Sequence, residues 1–120
     1  MEQNRRILYV QTCDAPERQY PPLVLAQTAK AMDLDPVVYY LGTGLKVLRP
    51  GEADGMRMGS FPSVGEMLRQ TLGMGIPVYV CEASKQMLGW DTVELIDGVK
   101  TVGAATLNDL ALDCGATMWF

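Results

Sequence analysis

Apolar runs of strand length alternating with helical stretches predict an α/β protein, a single open three-layer domain on a mostly parallel sheet of five strands. Three observations carry that expectation. Runs rich in β-branched and aromatic residues recur at positions 6–11, 37–41, 76–81, 99–102 and 116–120. The segments between them carry helical spacing or capping signals rather than two-residue hairpin turns, so successive strands need right-handed crossovers and lie parallel, with helices on both faces. At 120 residues the chain amounts to one domain, 1–120, with one modest core.

The first run, 6–11, is apolar enough for a buried strand, and a loop through Cys13 follows it. Pro21 and Pro22 suit the first turn of a helix, where a missing N–H costs little, and Leu25, Ala26, Ala29 and Met32 recur at helical spacing. Asp35-Pro36 breaks that helix, and 37–41 reads as the second strand. Gly42-Thr43-Gly44 closes the strand as a tight turn, 45–48 is a brief apolar turn, and 49–60, with three glycines and Pro50, is a loop. Ser63 and Glu66 have the spacing of a capping box for a helix running to about Leu72 and stopped by Gly73. The third strand ends at Cys81 and a short helix spans 82–89. Asp91-Thr92-Val93-Glu94 reads as the cap of another short helix ending near Gly98. A weak fourth strand, a helix from Thr106 to Cys114 and a closing strand at 116–120 complete the reading.

Composition excludes several function classes. The formal charge is −4, and Arg5-Arg6 is the largest basic cluster, so nothing would neutralise a run of phosphates and nucleic acid is not expected as a partner. No apolar stretch approaches the roughly 20 residues of a membrane span, and the opening from Met1 to Arg6 lacks a signal core, so the expectation is a cytoplasmic chain with no membrane contact. The chain contains no histidine, which removes His-based triads and imidazole metal ligation. Its three cysteines are widely spaced and odd in number, unlike a disulfide framework or a zinc site, so free thiols and no metal are expected. The loop at 12–17 is acidic and poor in the small residues that cradle a phosphate, which argues against a flavin, and no cofactor is expected.

What remains for chemistry is a thiol activated by backbone dipoles or a cation. Cys81 ends an apolar strand and immediately precedes a helix. Strand ends in parallel α/β sheets open into the ligand crevice, and the N–H groups of a helix start favour thiolate over thiol. The alternative is an inert cysteine filling core space. Glu82 beside it opposes ionisation unless its carboxylate points away or a cation answers, and Lys85, Arg49 and Arg57 are the candidates. Cys13, after the first strand, is a candidate second relay thiol or a plain loop cysteine. Cys114, at a helix C-terminus where the dipole disfavours thiolate, reads as structural.

The order and spacing of several segments go further. Ile7-Leu8-Tyr9-Val10, Leu25-Ala26 through Ala29-Lys30-Ala31-Met32, Gly42-Thr43-Gly44-Leu45, Gly75-Ile76-Pro77-Val78-Tyr79-Val80-Cys81, Leu88-Gly89 and Leu95-Ile96-Asp97-Gly98-Val99 together resemble the DsrE/DsrF-like small sulfurtransferases, which include the TusD-type sulfur relay subunits. The resemblance spans nearly the whole chain. It implies a flavodoxin-like α/β domain, assembly into a homotrimer or hexamer, and Cys81 as the carrier of sulfane sulfur between donor and acceptor proteins. Independently of it, Trp90 and Met118-Trp119-Phe120 are more large apolar surface than a small domain easily buries, which favours a subunit interface. The competing expectation is a non-catalytic oligomeric binding or scaffold protein of the same fold.

Overall fold

The computed structural model describes residues 4–120; Met1, Glu2 and Gln3 of the opening segment lie outside the described residues. Five strands form one sheet in the order β4-β3-β2-β1-β5: β1 (Arg6–Gln11), β2 (Asp35–Tyr40), β3 (Val78–Cys81), β4 (Lys100–Val102) and β5 (Ala116–Trp119). Every pairing is parallel. The helices are α1 (Tyr20–Ala31), α2 (Val64–Gly73), α3 (Glu82–Met87) and α4 (Ala104–Asp113). The expected layered architecture is therefore present, with β1 to β4 added in one direction and β5 returning to the far side of β1.

Strand alternation divides the core in two. Tyr9, Val38, Tyr40, Val78 and Val80 face α1 and α2, together with Leu45, Val47 and Leu48. Leu8, Val10, Val37, Tyr39 and Cys81 face the opposite way, toward Leu107, Leu110 and Ala111 of α4. The first layer is thick, and α1 buries Pro22, Leu23, Ala26 and Ala29 in it, leaving Leu25 and Met32 on the solvent side. The second layer is thin, since α4 has no fully buried residue.

Several boundaries differ from the sequence expectation, each for a local reason. Residues 91–98 form no helix: Ile96 donates its N–H to the Leu48 carbonyl, and Leu95 and Ile96 pack against the main core, so tertiary contacts override the capping pattern. Asp35-Pro36 does not end before the strand but opens it, with Pro36 opposite Ile7, a place near a strand start that tolerates a missing N–H. Residues 42–48 are a 3-10 helix whose Leu45, Val47 and Leu48 are fully buried, so this segment is core rather than a turn. Within 49–60 a second 3-10 turn, Ala53–Gly55, buries Ala53. The last helix starts at Ala104 rather than Thr106. The Ser63 cap forms, its Oγ accepting the Glu66 N–H at 3.1 Å, whereas the Glu66 carboxylate turns to Arg57 at 3.6 Å.

Two buried amides order the loop after β1. Gln11 accepts the Cys13 N–H at 3.0 Å and donates to the Arg18 carbonyl at 2.7 Å. Gln19 donates to the Cys13 and Ala15 carbonyls at 2.9 and 3.0 Å. Gly44 presses against the same loop: a Cβ there would stand 2.8 Å from the Gln11 carbonyl oxygen and 3.4 Å from that of Cys13. Backbone meets backbone at this point, so neither side can yield by a side-chain rotation.

Gly44→Ala is therefore expected to destabilise the chain by about 1–3 kcal/mol. Gly73→Ala, at the end of α2 with open space around it, should instead be neutral or stabilising by up to ~1 kcal/mol. Urea unfolding of both variants checks the contrast.

Candidate functional site

The C-terminal ends of the central strands gather the chemistry-bearing residues along one edge. Cys81 is the last residue of β3 and the N-cap of α3, an abrupt strand-to-helix junction that leaves the first-turn N–H groups of α3 without carbonyl partners in the helix. Its side chain lies on the α4 side of the sheet, between Tyr39 of β2 and Val102 of β4, and the residue is only 2% exposed.

Burial pushes the Cys81 thiol pKa up, but the Ser84 hydroxyl and N–H, the Tyr39 hydroxyl and the Ala83 N–H act on the sulfur in the opposite direction. The donors prevail, and the thiol is held below its ordinary value. None of them closes into a side-chain cap on α3 in the resting geometry. They are donors that a sulfur anion would engage more fully than a thiol. Tyr39 is reciprocally affected: burial first, then the neighbouring Cys81, raises its own pKa, so its hydroxyl stays protonated and able to donate. Its oxygen also stands 3.4 Å from the Gly103 carbonyl at the start of α4.

The other sequence candidates are spread around this centre. Glu82 is exposed, and the groups that shift the sulfur do not include it. Lys85 lies one turn along α3 and lines a shallow surface groove with Glu82, Gln86, Asp91 and Thr101. Arg57 pairs with Glu66 at the start of α2, on the opposite face of the sheet from Cys81. Arg49 stacks over the Trp90 ring, 5.2 Å from its centroid, and covers that side chain within the chain. Neither arginine is among the groups acting on the thiol.

Cys13 shares the C-terminal edge with Cys81, but β2 and its following turn stand between them. The residues 42–44 bridge that gap, Gly44 lying against the Gln11 and Cys13 carbonyls and Gly42 donating its N–H to the Ser84 hydroxyl at 2.7 Å. Cys114 caps the C-terminal end of α4, where burial and then the Asp113 and Asp35 carboxylates hold its thiol above the ordinary value against the pull of Arg6. All three cysteines are free. Among the described residues no group of three or more Cys, Asp or Glu is placed to hold a metal ion.

Sequence reasoning named Cys81 but missed Tyr39 and Ser84. Tyr39 read only as a strand aromatic, and its role depends on strand pairing. Ser84, three residues after the N-cap, was a locally readable signal, since that position faces the cap side chain in any helix start.

A family profile described as the DsrE/DsrF-like family matches residues 5–120. An uncharacterized protein of Methanocaldococcus jannaschii is 31% identical over 104 residues, which is 86% of this chain. The chain spans only 38% of that relative's length. Among solved structures, the ychN protein from E. coli superposes with a TM-score of 0.78 at 19% identity, covering 98% of this chain and 100% of the other. A protein of unknown function from Methanobacterium thermoautotrophicum superposes with a TM-score of 0.67 at 18% identity, again over 98% and 100% of the two chains. At these identities the two structures establish the shared fold.

A thiol whose pKa falls on folding makes stability depend on pH. Between the lowered folded value and the ordinary thiol value the unfolded chain binds more protons, so stability rises with pH across that window and is lost as pH falls through the folded value. The stability difference between the parent and Cys81→Ala should therefore grow toward alkaline pH, by about 1.4 kcal/mol for each unit of pKa lowering. Urea unfolding over a pH series measures it, and Tyr39→Phe, which removes one donor, should shrink the dependence.

Proposed function

The chain belongs to the DsrE/DsrF-like family, and from that premise we propose that it is a sulfur carrier whose working thiol is Cys81. The observation that carries the reading is the convergence of hydroxyl and backbone donors on this one sulfur, which lowers its pKa despite burial. Cys114 is shifted the other way.

In the forward step the Cys81 thiolate attacks the outer sulfur of a persulfide on a donor protein. A new S–S bond forms at Cys81, the donor's S–S bond breaks, and the donor cysteine leaves as thiolate, the persulfide proton staying with the transferred sulfur. In the return step an acceptor thiolate attacks the outer sulfur and Cys81 leaves as thiolate. Sulfur changes hands without net oxidation or reduction, so the cycle needs no metal and no organic cofactor. A lowered pKa serves both halves, by raising the reactive fraction and by making Cys81 the better leaving group.

Burial supports a second reading. At 2% exposure Cys81 does not meet a partner unless its cover moves, and a non-catalytic scaffold of the same fold would have an inert thiol there. On the carrier reading that cover is the β4–α4 side, the thin layer whose helix has no buried residue and whose junction is touched by the long Tyr39–Gly103 contact.

The partners proposed are sulfur donor and acceptor proteins, and the place is the cytoplasm; among the described residues no helix is long and apolar enough to cross a membrane. We also assign a homotrimer or hexamer. The four residues of β5 are all exposed, and Met118 at 38% and Trp119 at 53% present apolar surface at a sheet edge that suits a subunit interface.

Incubation with polysulfide or a persulfide-loaded donor should add one sulfur atom to Cys81 by mass spectrometry, in the parent and in Cys13→Ser and Cys114→Ser alike, and none in Cys81→Ser. A Cys81 that neither gains sulfur nor reacts with iodoacetamide at neutral pH leaves the scaffold reading. Light scattering on the purified chain should give a trimer or hexamer, and a monomer at micromolar concentration would remove the assembly.

A further inference from the structure

Ser84 is buried to 2% exposure on the same edge as Cys81, and a hydroxyl so enclosed requires partners for its oxygen and its proton. Its oxygen has one. The Gly42 N–H donates to Ser84 Oγ at 2.7 Å, from a turn where Gly42 takes φ +61°, a left-handed conformation that glycine adopts without strain. Among the described residues the hydroxyl donates to no carbonyl or carboxylate, and Cys81, the N-cap of the helix on which Ser84 is the third residue, is a neighbour whose sulfur that hydroxyl acts on. Two elements distant in sequence thus fix the rotation of one hydroxyl. The β2 turn claims the lone pair and leaves the proton for the thiol.

We propose that Ser84, oriented by the Gly42 N–H, is the positioning residue that holds Cys81 as a thiolate, both when it attacks and when it is expelled as the leaving group. The inference rests on the reading of Cys81 as the working thiol. It assigns Gly42-Thr43-Gly44 a part in that chemistry beyond making a turn, since the strand-two turn supplies the N–H that sets the serine. Tyr39 is a second donor to the same sulfur, but its hydroxyl is shared with the Gly103 carbonyl. Ser84 is the undivided one. The direction of the Cys81 titration agrees with this arrangement.

The test is an equilibrium titration of Cys81 by its Cβ chemical shift, in a Cys13→Ser, Cys114→Ser background so that one thiol titrates. Ser84→Ala should raise the midpoint by about one pH unit or more, the effect of removing a hydrogen bond to a charged group. Ser84→Thr, which keeps the hydroxyl, should stay near the parent midpoint. If Ser84→Ala does not fold, Ser84→Val, isosteric with the threonine variant but without its hydroxyl, carries the same expectation. A merely structural serine would lower the melting temperature and leave the midpoint where it was; that result overturns the proposal. The outcome is separable from the carrier reading. A midpoint that moves in a protein whose Cys81 takes no sulfur from polysulfide refutes the carrier and keeps Ser84 as the group that sets the thiol, whereas sulfur uptake with an unmoved midpoint does the reverse.

Discussion

Tyr39 stands opposite Tyr79 in the parallel register between β2 and β3, and from that pairing the arrangement of the site follows. Alternation along each strand sends Tyr39, Tyr79 and Cys81 to one face and Val38, Tyr40, Val78 and Val80 to the other. A slip of one residue in β2 would send Tyr39 into the packed layer under α1 and α2, the layer in which the Tyr40 hydroxyl is already buried without a partner. The buried apolar residues of the thick layer hold the register, and the chemistry on the thin side depends on it.

The two layers divide labour by depth of packing. On one side α1, α2 and the 3-10 helix at 42–48 enclose the main cluster, with Leu23, Leu45, Val47, Leu48 and Val64 fully out of solvent. On the other, α4 contributes partly buried Leu107, Leu110 and Ala111 and leaves Leu112 almost fully exposed. Local opening is governed by the apolar area that must be uncovered, so the α4 side is where the fold yields first. A thiol beneath the thick layer would be sealed. Cys81 instead sits beneath the thinner layer.

Much of this architecture was legible because it is local. The strand of β1, the Pro21-Pro22 helix start and the Ser63 cap all announce themselves within a few residues and appear at those places, whereas α2 runs through Gly73 and is ended by Gly75 at φ +78°. The failures have one physical source. Residues 91–98 carry a plausible cap, yet Leu95 and Ile96 gain more by packing on the core than eight residues gain by turning helical. The burial of 42–48, the strand order and the donors around Cys81 likewise depend on partners far along the chain. The strand-end position of Cys81 could be read from its own neighbourhood, while Gly42 meeting Ser84 across 42 positions could not.

The two glutamines behind β1 add a property that charged anchors would not. An amide neither gains nor loses a proton over the range in which proteins are stable, and its hydrogen bonds inside the core are shielded from salt. The hydrogen bonds that clamp the segment from Cys13 to Gln19 therefore have side-chain amides on one side that do not titrate. Gly44 leans on the Gln11 and Cys13 carbonyls, and Gly42, two residues before it in the turn after β2, reaches to Ser84. Acidity at the edge can then change at one atom while its surroundings remain a constant background.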